Sequence, residues 1–473
     1  MNTTKIKSFI FTAILIATAI TISCSSDGGD DGGGKQGPPK SIVGTWESAN
    51  AGDKETLEFK FSRTGVYTSE TGTKTNFIYN YAYVGGEEGI EVIFLPASAN
   101  TPRTFVYSGK DDFFFSTNSK FTRTGSGSEP NPNLFAGGNG TAANPWVITT
   151  AEQLWEVHYY VGEEHADKHF KLGADIALNT DENFQWTPIG INSFYTISNY
   201  FFGTFDGAGF AISGVYIDND WDNQALFGNV GEGATIKNLG VVDVSIKGRH
   251  AGALAGWLYG SVINCYSTGN VEGSGGGLVS LMDALNGSNA SIANSYSTAN
   301  VRGQSGLGGL VGQNGGKGIS NSYATGNVQA TGSPGSNSGS IGGLVGTNNG
   351  PIINSYATGD VQGENGVGGL AGTNSGSITN SYSTGSVTKT STGDPLMDNF
   401  TNVGGLTSTG NGTVSNSYYD SETSGQSDTG RGTPKTTEEM KTQSTYTGWN
   451  FTNIWGIDSE TNDGYPFLQE NKQ

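Results

Sequence analysis

His165-x-x-x-His169 is the one histidine pair in the chain whose spacing, if it fell on a helix, would bring two imidazoles to a metal ion. No glutamate follows the first histidine as in H-E-x-x-H, so the pair reads as solvated or packing residues. His158 and His250 lie outside that spacing. Asp218, Asp220 and Asp222, and later Asp394 and Asp398, offer oxygen ligands of the kind that hold calcium in loops. They lack a regular ligand pattern, so they are read as solvated acidic loops, with loop calcium the only cofactor to consider. Polysaccharide lyases need an acidic or calcium cluster beside a base, and glycoside hydrolases need paired carboxylates. The charges available further on, Asp283, Arg302, Lys317, Asp360 and Glu364, are few and out of phase. Nucleophile elbow, phosphate loop and dinucleotide fingerprint are all absent, so no catalytic residue and no metal ligand is assigned. Aromatic rings that would stack on sugars stand at Trp221, Trp257 and Tyr259. The competing role for all three is packing within the fold.

These residues sit in a chain of 473 in which 75 are glycine and only 34% are hydrophobic. Such a composition disfavours one large aliphatic core, and the irregular glycine spacing excludes a collagen helix. An aromatic content of 11% excludes a purely disordered coil. The formal charge of −19 repels nucleic acid and anionic membrane surfaces. Two cysteines, Cys24 and Cys265, exclude a disulfide framework.

From residue 41 to 124 the pattern has period two. Phe77, Tyr79, Tyr81 and Tyr83 alternate with polar residues, as do Ile90, Val92 and Phe94, and turn residues such as Gly85-Gly86 separate the runs. Seven or eight short antiparallel strands in a small barrel or sandwich are expected. Residues 125-135 carry no apolar periodicity and form a linker.

The glycines are explained beyond it. Leu254, Leu278, Leu310, Leu344, Leu370 and Leu406 each open a similar unit, closed by Tyr266, Tyr296, Tyr323, Tyr356, Tyr382 and Tyr418. The leucine-to-tyrosine distance is 12 residues in four units, whereas the step to the next leucine runs from 12 to 24. The distance is 13 and 18 in the other two units, so most of the length variation is confined to one corner, as stacked coils require. Three short extended segments per unit predict a right-handed parallel β-helix solenoid, so the fold class is all-β. Leu310, Leu344, Leu370 and Leu406 are expected inside, with Val328, Val361 and Val387. The recurrent Asn264, Asn294, Asn321, Asn354, Asn380 and Asn416 predict an amide ladder in a turn. Cys265 stands where other units have serine and is expected to be a small packed residue.

Three resemblances add to this reading. Lys5 and Lys7, the apolar run from Phe9 to Ile22 and the sequence Thr21-Ile22-Ser23-Cys24 resemble a bacterial lipoprotein signal, with residues 1-23 removed and Cys24 lipidated. The acidic, glycine-rich tether at 24-40 resembles the surface-export signal of Bacteroidetes lipoproteins. That resemblance implies lipid anchoring in the outer membrane, facing the exterior. Ile42-Val43-Gly44-Thr45-Trp46 and Phe121-Thr122-Arg123 resemble small lipocalin-like domains, which would give Trp46 and Arg123 packing roles. The repeats, for example Gly343-Leu344-Val345-Gly346, resemble the GLUG motif of bacterial adhesins and of the N-terminal region of IgA-specific metallopeptidases. Residues 136-219 are then an entry cap with the first coils, 220-430 the repeats and 431-473 a closing cap. Thr150 and Gln153 are placed as a capping box. The functional expectation is an adhesin or glycan-binding lipoprotein, touching the membrane only through its anchor. It would use one flank and the enlarged corners at 279-290, 331-341 and 389-403 against extracellular polysaccharide or a host or matrix surface. The alternatives are a polysaccharide-cleaving enzyme on the same scaffold and a structural spacer.

Overall fold

The computed structural model describes the backbone of eight strands between residues 44 and 123, and residues 132–471 apart from 179, 181–184, 191–199, 284–288, 332–338, 392–401 and 430. Residues 1-23, Cys24, the tether, Asp394, Asp398 and the centres of the three enlarged corners lie outside the described residues.

The period-two segment forms strands Gly44–Ser48, Thr56–Phe59, Thr64–Thr68, Lys74–Val84, Glu87–Phe94, Arg103–Ser108, Asp112–Phe114 and Lys120–Arg123, each antiparallel to the next. The last returns to the first, with Trp46 opposite Arg123 in register, and closes the barrel. Phe77, Tyr79 and Tyr81 lie opposite Phe94, Val92 and Ile90.

Residues 146–435 build parallel sheets whose neighbours come from successive coils. One sheet of ten strands runs from Trp146–Ile148 to Thr413–Ser415. Phe205, Ile236, Val262, Ile292, Ile319, Ile352 and Ile378 follow one another in register along it and are buried. Leu310, Leu344, Leu370 and Leu406 fall in the same core, as expected. Instead of three extended segments, each later coil has more. The pair Leu307–Gly308 begins a separate four-stranded sheet continued by Ile341–Gly342, Val367–Gly368 and Val403–Gly404. Val301, Val328, Val361 and Val387 pack on this ladder in an apolar cluster separate from the core that holds Leu310, Leu344, Leu370 and Leu406. The Gly-Gly pairs allow this extra wall, since a Cβ at Gly343 would overlap the carbonyl oxygen of Gly369 in the next coil.

Polar residues stack as strictly as apolar ones. Asn264, Asn294, Asn321, Asn354, Asn380 and Asn416 all have positive φ, the turn conformation asparagine tolerates best after glycine. Each of several side chains donates Nδ2 to the Oδ1 of a neighbouring coil, for example Asn354 to Asn321 at 3.1 Å. A second ladder lies inside, where Asn314 donates to Asn348 at 2.7 Å and Asn348 to Asn374 at 2.8 Å, all buried. Ser295, Ser322, Ser355 and Ser381 accept the backbone N–H of the preceding coil through Oγ. Cys265 occupies the head of that column, buried, its thiol pushed up to about 12 chiefly by burial.

Tyr266, Tyr296, Tyr323, Tyr356 and Tyr382 stack with ring centroids 4.7–5.1 Å apart and planes within 10° of parallel. Residues from Met440 to Leu468 fold over the later rings, with Trp449, Trp455, Tyr446 and Tyr465 packed on Tyr323, Tyr356 and Tyr382. The last coil is covered by the segment before them. Gly405 N–H donates to Asp428 Oδ1, Arg431 to the Ser408 carbonyl and Gln426 to the Val387 carbonyl. At the other end Phe135, Trp146, Tyr160 and Phe170 form an aromatic plug. Helix Ala151–Glu156 there is N-capped by Thr150, whose side chain accepts the Gln153 N–H. The return arm of the expected box shifts by one residue, because Gln153 Oε1 accepts from Thr149 N–H.

Candidate functional site

The seven-stranded sheet carries the candidate aromatics. In register along it lie Asn229, Trp257, Leu281, Gln313, Thr347, Thr373 and Thr409. The later members are small, and Thr373 shares a hydrogen bond with Thr409 at 3.2 Å. In the early coils the column widens to Trp257, held by the buried Ala255 and Leu258 of its own strand. The corner that follows is stacked in the same way. Tyr259 N–H donates to the Val230 carbonyl and Asp283 N–H to the Leu258 carbonyl, so Tyr259 and Asp283 occupy equivalent corner positions one coil apart.

Trp257 meets Tyr259 edge to face, with centroids 6.0 Å apart, and Tyr259 stacks on Tyr200 at 5.7 Å and 16°. Tyr200 in turn stacks on Phe202 at 6.2 Å, and the Phe202 ring lies over Gly231, where a Cβ would overlap it. Burial, then Tyr200 and the Asp283 carboxylate, push the Tyr259 phenol well up, so it remains a neutral hydroxyl able to donate or accept. An aromatic patch beside a carboxylate can stack on a sugar ring and accept its hydroxyls.

Trp221 stands at the turn from Asn219, 46% exposed, and makes no ring contact among the described residues. Two residues on, Asn223 packs against Gly256, beside Trp257. The three sequence candidates thus divide into a touching pair, Trp257 and Tyr259, and a third ring on the adjoining loop. Tyr200, Phe202 and Asn223 were missed from sequence. The aromatic run Tyr200-Phe201-Phe202 was the available signal; Tyr200 and Phe201 are buried and Phe202 is half-buried.

The histidine pair falls apart. His165 ends a short 3-10 turn, Glu163–His165, and His169 opens strand His169–Leu172, so no helix sets them on one face. His158 packs between Trp155 and Trp186, its ring nitrogens 2.9 Å from the carbonyl oxygens of Trp155 and Thr187. His250 and Arg249 meet Asp222 at 2.9 and 3.4 Å, and Lys247 meets Asp218 at 3.0 Å. That acidic stretch is divided among basic partners. Among the described residues, no group of three or more His, Cys, Asp or Glu converges on a point.

The model of the GLUG motif matches residues 248–272, 303–329, 337–362 and 363–388. These spans begin one coil at the Trp257 strand and recur through the later coils. A protein described as a putative Gly-rich membrane protein of Evansella cellulosilytica is 37% identical over 139 residues, which is 28% of this chain and 15% of that protein. Halomucin of Haloquadratum walsbyi is 31% identical over 155 residues, 31% of this chain and 2% of that protein. The chain therefore spans a small fraction of the length of these relatives.

Proposed function

We propose that this chain is a cell-envelope surface protein that adheres to extracellular polysaccharide through the flank carrying Trp257 and Tyr259. The observation that carries the reading is the contiguous patch of Trp257, Tyr259, Tyr200 and Phe202 beside Asp283. Three features support the envelope setting: the apolar leader ending at Cys24, the acidic charge, and similarity to proteins described as a Gly-rich membrane protein and a halomucin. Lipidation of Cys24, outer-membrane anchoring and outward display belong to the same proposal.

The test is co-sedimentation of the full chain with a panel of insoluble polysaccharides, beside host-matrix proteins as a separate arm. A Trp257→Ala, Tyr259→Ala double variant is expected to bind at least about tenfold more weakly, since base or ring stacking by aromatics is worth roughly 1–3 kcal/mol per ring. New reducing ends or unsaturated products would replace adhesion with cleavage. Retention by matrix protein alone would replace the polysaccharide.

A further inference from the structure

Asp420 is a buried carboxylate at the end of strand Tyr418–Asp420, under the closing cap. Its Oδ1 accepts the backbone N–H groups of Glu422 and Thr423 at 2.9 and 3.1 Å. Its Oδ2 accepts the hydroxyls of Thr437 and Tyr465, each at 2.7 Å. These four donors hold a buried charge in place. The Tyr465 ring in turn stacks on Tyr382, with centroids 6.5 Å apart and planes at 17°. From the half-buried Tyr266 and Tyr296 through Tyr323 and Tyr356 to Tyr382, no centroid step exceeds 5.1 Å. Trp455 lies beside the last two rings, 6.1 Å from Tyr356 and 6.0 Å from Tyr382. A continuous π path therefore runs from the side of the solenoid into the cap and ends on a phenol that donates to a base.

We infer that Tyr465 and Asp420 form a one-electron redox site, fed through the tyrosine stack, which collects oxidising equivalents from diffusible one-electron oxidants. The site is separate from the adhesive flank and does not rest on that reading. The oxidant draws one electron from Tyr266 or Tyr296, which are less buried than the rings that follow, and each ring is refilled by the next. The last electron leaves Tyr465. Its O–H bond breaks, the proton passes to Asp420 Oδ2, and a neutral phenoxyl radical remains. One electron has then reduced the oxidant, and one proton stays in the cap. Proton chemistry selects this end of the path. A phenol that loses an electron becomes a strong acid, so the oxidised state settles where the hydroxyl already donates to a base. The hydroxyls of Tyr382 and Tyr446 donate to the carbonyls of Pro466 and Met440, which accept a hydrogen bond without taking the proton. Tyr465 donates to a carboxylate, and protonating Asp420 removes a buried charge. The Lys441 ammonium, 4.8 Å from the centre of the Tyr465 ring, disfavours a positive ring and so ties electron loss to proton loss.

The experiment oxidises the full chain with a photogenerated ruthenium polypyridyl oxidant and follows the product by freeze-quench electron paramagnetic resonance. A persistent neutral tyrosyl signal is expected. Tyr465→Phe keeps the ring and removes the O–H, and it is expected to lose that signal while retaining the circular dichroism of the folded chain. Tyr323→Leu interrupts the stack and is expected to delay the signal. If Tyr323→Leu does not fold, Tyr296→Leu, at a half-buried ring, takes its place. Deuterated water is expected to slow formation of the radical, because the proton moves with the electron. This last measurement needs no variant. Absence of a tyrosyl signal in the unaltered chain, or an unchanged signal in Tyr465→Phe, would overturn the site. Arrival that the broken stack leaves unchanged would overturn the path, and the lack of an isotope effect would overturn the role of Asp420.

Discussion

Asn348 is the most informative residue at which to break the solenoid. It is buried, its Oδ1 accepts from Asn314 at 2.7 Å, and its Nδ2 donates to Asn374 at 2.8 Å. Asn348→Ala removes both bonds at once. It leaves Asn314 Nδ2 with only a 3.4 Å contact to the Pro351 carbonyl, and Asn374 Oδ1 with no partner from the ladder. An orphaned buried polar group costs about 1–3 kcal/mol and a lost hydrogen bond about 1 kcal/mol, so the orphaned Asn374 oxygen and the weakened Asn314 amide together give roughly 3 kcal/mol before any cavity is counted. The reference is Asn354→Gly on the corner ladder, which is only half-buried and where glycine keeps the positive φ. Losing its amide there is worth about 1 kcal/mol. The assay is urea unfolding of both variants followed by circular dichroism. Amide exchange across residues 344–376 accompanies it, because a stack of coils opens in local units. If the two variants lie within about 1 kcal/mol of each other, the interior ladder is not the stabilising element argued here.

Gly343→Ala drives a methyl into the Gly369 carbonyl of the next coil and against the Ala357 side chain across its own coil. A loss of about 3 kcal/mol, the upper part of the usual overpacking range, is expected by the same unfolding assay, and a neutral result would contradict the coil spacing. Alkaline pH gives a further test. Burial, then the neighbouring tyrosine, holds the phenols of Tyr356 and Tyr382 well above their ordinary value, and burial lifts the Cys265 thiol to about 12. In the unfolded chain these groups release their protons near pH 10 and 8.5, respectively. Above about pH 8.5 the native state binds more protons than the unfolded one. The stabilisation from these groups is therefore complete below that pH and is lost as pH rises toward and beyond 12. The melting temperature is expected to fall between pH 8.5 and 11, with tyrosinate absorbance appearing at unfolding. A flat profile over that window would refute burial of the ladder.

The stacked coils were legible because one coil constrains the next. A leucine-to-tyrosine distance of 12 in four of six units, with most of the length variation in the step after the tyrosine, already demands a common register. Period two likewise identified the barrel strands without any long-range information. Other features depended on contacts between segments far apart in sequence. The valines of Val328 and Val361 are inward as expected, but their separate cluster is visible only once Leu307, Ile341 and Val367 are seen to pair. The interior Asn314 ladder went unread because a buried asparagine and a turn asparagine look alike in sequence. They are separated by where the backbone turns. The i, i+4 spacing of His165 and His169 carried no information for the reverse reason, since it has meaning only on a helix and His169 opens a strand. At the site, Trp257 and Tyr259 were found by residue type, whereas Tyr200 and Asn223 reach them only through the coil-to-coil stack.

The same stacking rule indicates where specificity can reside. A column repeated like on like satisfies itself, as Thr373 and Thr409 do through their hydroxyls and as the tyrosines do through their rings. Such a column pairs most of its own groups, although Asn314 Oδ1 and Asn380 Oδ1 in the asparagine ladders stay unpaired. At Asn229, Trp257 and Leu281 the backbone register is unbroken while the side chains change at every step, so neighbours cannot satisfy one another. The consequence is physical: the Trp257 N–H and Asn223 Oδ1 remain unpaired at a place where the sheet itself is well ordered. A regular backbone with irregular side chains holds the half-buried Trp257 and Tyr259 rings rigid, which lowers the entropic penalty of engaging them. Recognition is therefore expected to concentrate in these early coils, with the uniform later coils serving to extend and stiffen the scaffold.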